Sequence, residues 1–173
     1  MAGDAGNARK ARAVLGSILF FAIAPGTVAW WIPRAISGWR FEPPLFGLHG
    51  TRAVGALFLV GGLAGLIACF TRFALQGLGT PAPIAPPSRL VVSGLYRYVR
   101  NPMYVAVTAL VIGEALFLGS RALLWYAAGL WLMFHLWVWL YEEPGLRGRF
   151  GESYREYCAH VGRWIPRFTP WPR

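Results

Sequence analysis

The sequence predicts an all-α integral membrane protein of about four transmembrane helices, the last two forming a helical hairpin followed by an amphipathic cytoplasmic tail helix. Hydrophobic residues make up 56% of the 173-residue chain, charged residues only 14%, and the mean hydropathy is +0.45. That is too apolar for an ordinary soluble domain and points to one polytopic domain over residues 1–173. The apolar residues gather into stretches of roughly seventeen to twenty, near the length that crosses a bilayer. The net charge of +10 comes from basic residues that flank these stretches. They form no stripe interleaved with stacking aromatics, which speaks against nucleic-acid binding. Cys69 and Cys158 have no CxxC or metal-type spacing, so neither a disulfide framework nor a metal site is indicated.

The first predicted span covers residues 13–31, preceded by Arg9, Lys10 and Arg12. Its start resembles a signal peptide, but cleavage after Ala24 would leave Pro25 directly after the cut, so a retained anchor is expected. Pro25 and Gly26 predict a kink, because proline removes a backbone donor and crowds the preceding turn. A second span covers residues 53–70, with Gly61 and Gly65 at the small-xxx-small spacing that permits close helix packing. Residues 1–75 therefore read as two N-terminal spans, followed by a second part over 76–166. From Gln76 to Ser93, two glycines and four prolines exclude regular helix and predict an extended connection near the interface.

The third and fourth spans, 102–118 and 122–141, are separated by Gly119, Ser120 and Arg121, which forces an antiparallel hairpin with both feet on one side. Arginines at 72, 89, 97, 100, 147, 149, 155, 163, 167 and 173 fall on that side with the N-terminal basic cluster, against Arg34, Arg40, Arg52 and Arg121 opposite. The positive-inside rule then makes the feet and both termini cytoplasmic. Beyond Tyr141, Leu146, Phe150, Tyr154, Tyr157 and Val161 recur at helical spacing, with charges between them, as in a helix lying on the membrane face.

The hairpin feet carry the chemistry. Glu142 and Glu143 lie where the fourth span leaves the hydrocarbon, and carboxylates at a helix C-terminus oppose its dipole by about 0.3–1 kcal/mol. A ligand ammonium, a ribose diol, or Arg97 and Arg100 from the neighbouring foot would favour them. At the other foot Asn101 is expected to cap the third span, with Pro102 at its first helical position. Arg100 beside that helix N-terminus suits an anionic group, and Tyr104 falls on the same face as Arg100. His135 lies two turns before Glu142, roughly 10 Å deeper, able to orient a nucleophile or cofactor or simply to pack. Glu114, near the outer end of its helix, is expected to snorkel or to pair with Arg121 rather than act.

Over Gln76 to Pro166 the chain resembles the isoprenylcysteine carboxyl methyltransferase family and its relatives, the phospholipid N-methyltransferases. The matching positions are Gly94, Tyr96, Arg100, Asn101, Pro102, Tyr104, Ala106, Glu142, Glu143, Phe150, Gly151, Tyr154, Tyr157, Arg163 and Pro166. Asn101 stands where the family pattern has histidine, and Ala106 where it has glycine. Asparagine does not titrate, so no proton shuttle is expected there. The resemblance implies S-adenosylmethionine as cofactor, held by Tyr96, Arg100, Asn101, Pro102, Tyr104, Glu142, Glu143, Tyr154 and Arg163. Arg100, Glu143 and His135 are the expected catalytic residues. The implied acceptor is a lipophilic or membrane-associated carboxylate, thiol or amine.

Two further classes fit parts of the sequence. Membrane sterol reductases share a related C-terminal architecture, and Arg147, Arg149 and Arg155 could hold the 2′-phosphate of NADPH. A non-catalytic scaffold would use the basic tail to bind anionic lipid.

Overall fold

A computed structural model describes residues 23–76 and 90–172, the side chains of 73–76 aside. The chain is helical, and no strand occurs among the described residues. Helix α1 (23–37) carries a π-helical turn over Thr27–Trp31, just past Pro25, before the regular segment Ile32–Ser37. This is the irregularity that Pro25 and Gly26 predict, absorbed as a wider turn. Residues 13–22 of the expected first span lie outside the described residues, as do residues 77–89 of the extended connection.

Helix α2 (Gly50–Gln76) is followed by a single turn at Gly94–Arg97, then α3 (Pro102–Leu118) and α4 (Arg121–Trp137). A second π-helical turn, Val138–Glu142, carries α4 directly into α5 (Glu143–His160). Two helices are long and apolar enough to cross a membrane, Gly50–Arg72 and Arg121–His160, and Pro102–Leu118 is a shorter apolar helix. Only 28% and 22% of the two spanning windows are buried within the protein. They are therefore not the core helices of a soluble fold. Their apolar side chains face outward, as Leu57, Val60, Trp125 and Met133 do. At about 1.5 Å per residue, α3 is roughly 26 Å long, slightly less than the hydrocarbon layer.

The most extensive packing joins α2 to α3, and missing side chains make it possible. A Cβ on Gly62 would lie 2.9 Å from the Ala106 carbonyl oxygen, and one on Gly55 2.6 Å from the Phe117 nitrogen. From the other side, a Cβ on Gly113 would lie 2.9 Å from the Gly55 oxygen. Backbones thus touch at three glycines, the close approach on which helix association in lipid depends. Of the expected pair, Gly65 meets Ala106 at an ordinary 3.4 Å, whereas Gly61 faces open space. The small-residue stripe runs through Gly55 and Gly62 instead.

Helix α4 closes the core over Leu66, Phe70, Val107, Val111, Ala127, Leu130 and Phe134. Tyr126 Oη donates to the Val28 carbonyl at 2.9 Å, tying α1 to α4. At the far end from the hairpin feet, the Glu42 amide donates to Leu118 O, and Arg52 donates to Glu42 O.

Beyond Glu142, α5 is broken at Gly151 (φ 51°, ψ −120°), a backbone region open to glycine. The break turns the expected amphipathic face inward. Tyr154, Tyr157 and Val161 are buried with Trp171, against Leu146, Phe150 and, from the chain before α3, Leu90 and Val92. The apolar stripe that suggested a helix lying on lipid is thus largely spent within the protein.

Candidate functional site

The two hairpin feet and the tail meet around Glu143. Because α2 and α3 are antiparallel and α4 returns along α3, residues 72, 97–104 and 142–143 all lie at one end of the bundle. The π-helical turn Val138–Glu142 sets the adjacent glutamates in different surroundings: Glu143 is 1% exposed and Glu142 half-buried.

Three guanidiniums surround the Glu143 carboxylate. Arg163 grips it with two bonds, Nε to Oε1 at 2.6 Å and Nη2 to Oε2 at 2.8 Å. Arg100 lies 3.1 Å from Oε1, and Arg147 reaches Oε2 from the next turn at 3.2 Å. The planar fork of Arg163 matches the carboxylate geometry. Its hydrogen bonds to Glu143 hold the Arg163 pKa above its ordinary value. One anion against three cations leaves this cluster with a surplus of positive charge. Arg100 also donates to Cys158 Sγ at 2.7 Å, while its Nε is buried with no protein partner. Beside the cluster, Tyr104 Oη donates to Glu142 Oε1 at 2.9 Å, and the Tyr104 ring lies 4.6 Å from that of Phe134.

The tail residues 162–171 hold this geometry by pairing with the segment that leads into α3. The Arg100 amide donates to Gly162 O, that of Arg167 to Tyr98 O, and that of Trp171 to Arg97 O. Arg97 Nε returns a bond to Trp171 O at 2.8 Å, so Arg97 does not join the glutamates as the sequence suggested it might. Asn101 Nδ2 donates to Arg163 O at 3.2 Å and makes no side-chain cap on α3. The expected cap gives way to a bond that fixes the arginine-bearing segment of the tail. Pro102 sits buried at the start of α3 as expected.

Tyr96 lies in the turn before this segment, and its carbonyl accepts from Tyr157 Oη at 2.6 Å. Tyr154 is 3% exposed in the tail's aromatic cluster. His135 is set apart from the carboxylates but joined to the tail: Trp164 Nε1 donates to its Nδ1 at 3.0 Å, and the imidazole stacks on Trp131. Sequence spacing alone indicates Arg147, four residues from Glu143. No periodic signal marks Trp164 or Trp171, because the tail after His160 has no regular structure, and Cys158, although helical, owes its contact to Arg100, 58 residues away. The arginines weighed for a 2′-phosphate are divided: Arg147 binds Glu143, and Arg155 pairs with Glu152 at 3.4 Å.

The profile of one protein family, described as phospholipid methyltransferase, matches residues 51–153, more than half of the chain. No curated protein and no solved structure matches.

Proposed function

The chain belongs to the phospholipid methyltransferase family, whose members are integral-membrane methyltransferases and include proteins like isoprenylcysteine carboxyl methyltransferase; on that premise we propose that it moves a methyl group from S-adenosylmethionine to a lipophilic or membrane-associated carboxylate, thiol or amine. The observation that carries this reading is the pairing of an arginine-rich cluster with a second, adjacent carboxylate. The surplus positive charge around Glu143, together with the unpartnered Arg100 Nε, fits the carboxylate of the cofactor's amino-acid end. Glu142, with one oxygen taken by Tyr104, retains acceptor capacity for the ammonium. The tilted Tyr104–Phe134 pair offers an aromatic wall, and Tyr96, Asn101, Pro102 and Tyr154 support the surrounding segments.

When bound, S-adenosylmethionine supplies a methyl group on a sulfonium, open to in-line displacement. The chain's residues bind and align. Arg100 and Arg163 hold an anionic group, and Glu143 acts on them as a positioning residue, its oxygens already engaged by three arginines. His135 accepts at Nδ1, so the neutral ring carries its proton on Nε2, where it serves as a donor toward an acceptor rather than as a base. A carboxylate or thiolate acceptor needs no base, and an amine arrives unprotonated. The apolar surroundings favour neutralisation of opposite charges during transfer. The sorting of arginines toward this end supports a cytoplasmic site, with the acceptor entering from the bilayer.

The test is equilibrium binding of S-adenosylmethionine to the detergent-purified full chain, beside Arg163→Ala and Glu142→Gln, with NADPH as the competing nucleotide. Saturable binding weakened at least tenfold by either substitution is expected. A folded protein that ignores S-adenosylmethionine overturns the reading, and binding of NADPH alone replaces it with a reductase.

A further inference from the structure

A concavity lies against the segment that leads into α3. It has a volume of about 360 Å³ and is walled by Arg72, Val92, Gly94, Arg97, Tyr98 and Pro170, with Ser93 completing its lining. Arg72 closes the apolar span Gly50–Arg72, so the concavity opens where that helix leaves the hydrocarbon. Gly94, at φ +56°, lets the Arg72 side chain lie against the backbone: a Cβ there would sit 3.0 Å from Arg72 Nε and 3.4 Å from its Cζ. The second guanidinium, Arg97, spends Nε on Trp171 O, and its two terminal nitrogens have no side-chain partner among the described residues. Among the described residues neither arginine belongs to an ion pair, and no carboxylate lines the space. Anchoring a span at the interface accounts for Arg72 alone. It does not account for a second arginine converging on the same space, beside apolar walls from Val92 and Pro170.

We propose that this cleft binds the phosphate group of a membrane-lipid headgroup, at a site separate from the Glu143 cluster. Two guanidiniums supply the forked donors that phosphate oxygens accept, and Val92 and Pro170 provide apolar surface for the start of the glycerol chain. Its position at the bilayer boundary is where headgroup phosphates lie, which favours a lipid over a free anion. The same residues connect it to the site: Arg97 and Tyr98 carry the carbonyls that accept from Trp171 and Arg167, so a bound phosphate would brace the clasp that holds Arg163.

The proposal is tested with the full-length protein in a maltoside detergent. It is titrated with dihexanoylphosphatidic acid, with dihexanoylglycerol, which lacks the phosphate, and with inorganic phosphate, following intrinsic tryptophan fluorescence. Phosphatidic acid should bind saturably, more weakly as salt is raised, with dihexanoylglycerol at least tenfold weaker. Arg72→Gln should weaken it several-fold, and Arg72→Gln with Arg97→Gln at least tenfold. Arg72→Gln carries the test if loss of the Arg97–Trp171 bond unfolds the double variant. Glu142→Gln, whose carboxylate bonds Tyr104 and lies outside the clasp, should leave phosphatidic acid affinity within twofold, which separates this site from the methyl-transfer reading. Wild-type affinity in a folded Arg72→Gln variant, or equal binding of the glycerolipid without phosphate, overturns the proposal. Inorganic phosphate binding as tightly as the lipid would reassign the cleft to a free anion.

Discussion

The membrane body and the foot of the hairpin are held together by opposite means. Where α2 meets α3, contact depends on what Gly55, Gly62 and Gly113 lack, so that backbone lies on backbone. At the foot, contact depends on long side chains, with Arg100, Arg147 and Arg163 reaching one buried carboxylate from three segments of the chain. In lipid there is little hydrophobic gain from bringing two helices together, so close packing carries the body. The foot lies at the interface, where charge can be desolvated in part and oriented for use. The body is therefore sensitive to added volume, and the foot to lost charge.

The largest expected effect breaks the foot. Glu143→Ala strands three guanidiniums without their anion, and losing one partner of a buried charge pair costs about 3–5 kcal/mol. S-adenosylmethionine affinity should fall at least a hundredfold, and thermal unfolding in detergent should occur at lower temperature. An unchanged binding isotherm would mean that Glu143 does not organise the site. Next comes the body: Gly62→Leu or Gly113→Leu forces the helices apart and should cost about 1–3 kcal/mol or more. Gly61→Leu, one residue away and facing open space, should cost less than about 0.5 kcal/mol. Equal melting temperatures for the 61 and 62 variants would erase the distinction between the two regions. Tyr157→Phe removes one bond to the Tyr96 carbonyl and should cost about 1 kcal/mol, with cofactor affinity falling less than for Glu143→Ala. Smallest is Arg147→Ala. That side chain is 57% exposed, so solvent screens its pair with Glu143, and a loss of no more than about 0.5 kcal/mol is expected.

The two regions also differ in how far the sequence disclosed them. Apolar length and the short 119–121 connection were enough to anticipate the hairpin, and proline placement anticipated both the irregular α1 and the start of α3. The glycine interface was not legible in detail. Gly61 and Gly65 carry the same spacing signal as the pairs that do touch, and only the rotation of α2 against α3 decides which face is used. At the foot, Arg100 and Glu143 stood out as charges at helix ends, and Arg163 came from the family resemblance. That Asn101 would bond to the tail rather than cap its helix depends on a contact 62 residues away, beyond any local rule. The inward turn of α5 likewise follows from the backbone at Gly151, which its apolar periodicity conceals.

The pairing of residues 97–100 with residues 162–171 has a consequence for the order in which the protein is made. The helices can insert and associate as they emerge, since α2, α3 and α4 precede the tail in the chain. The Arg163 grip on Glu143 forms only after the segment beyond α5 has been made. A nascent chain would thus be seated in the bilayer before the arginines closed on Glu143, with assembly of the clasp as the step that completes this cluster.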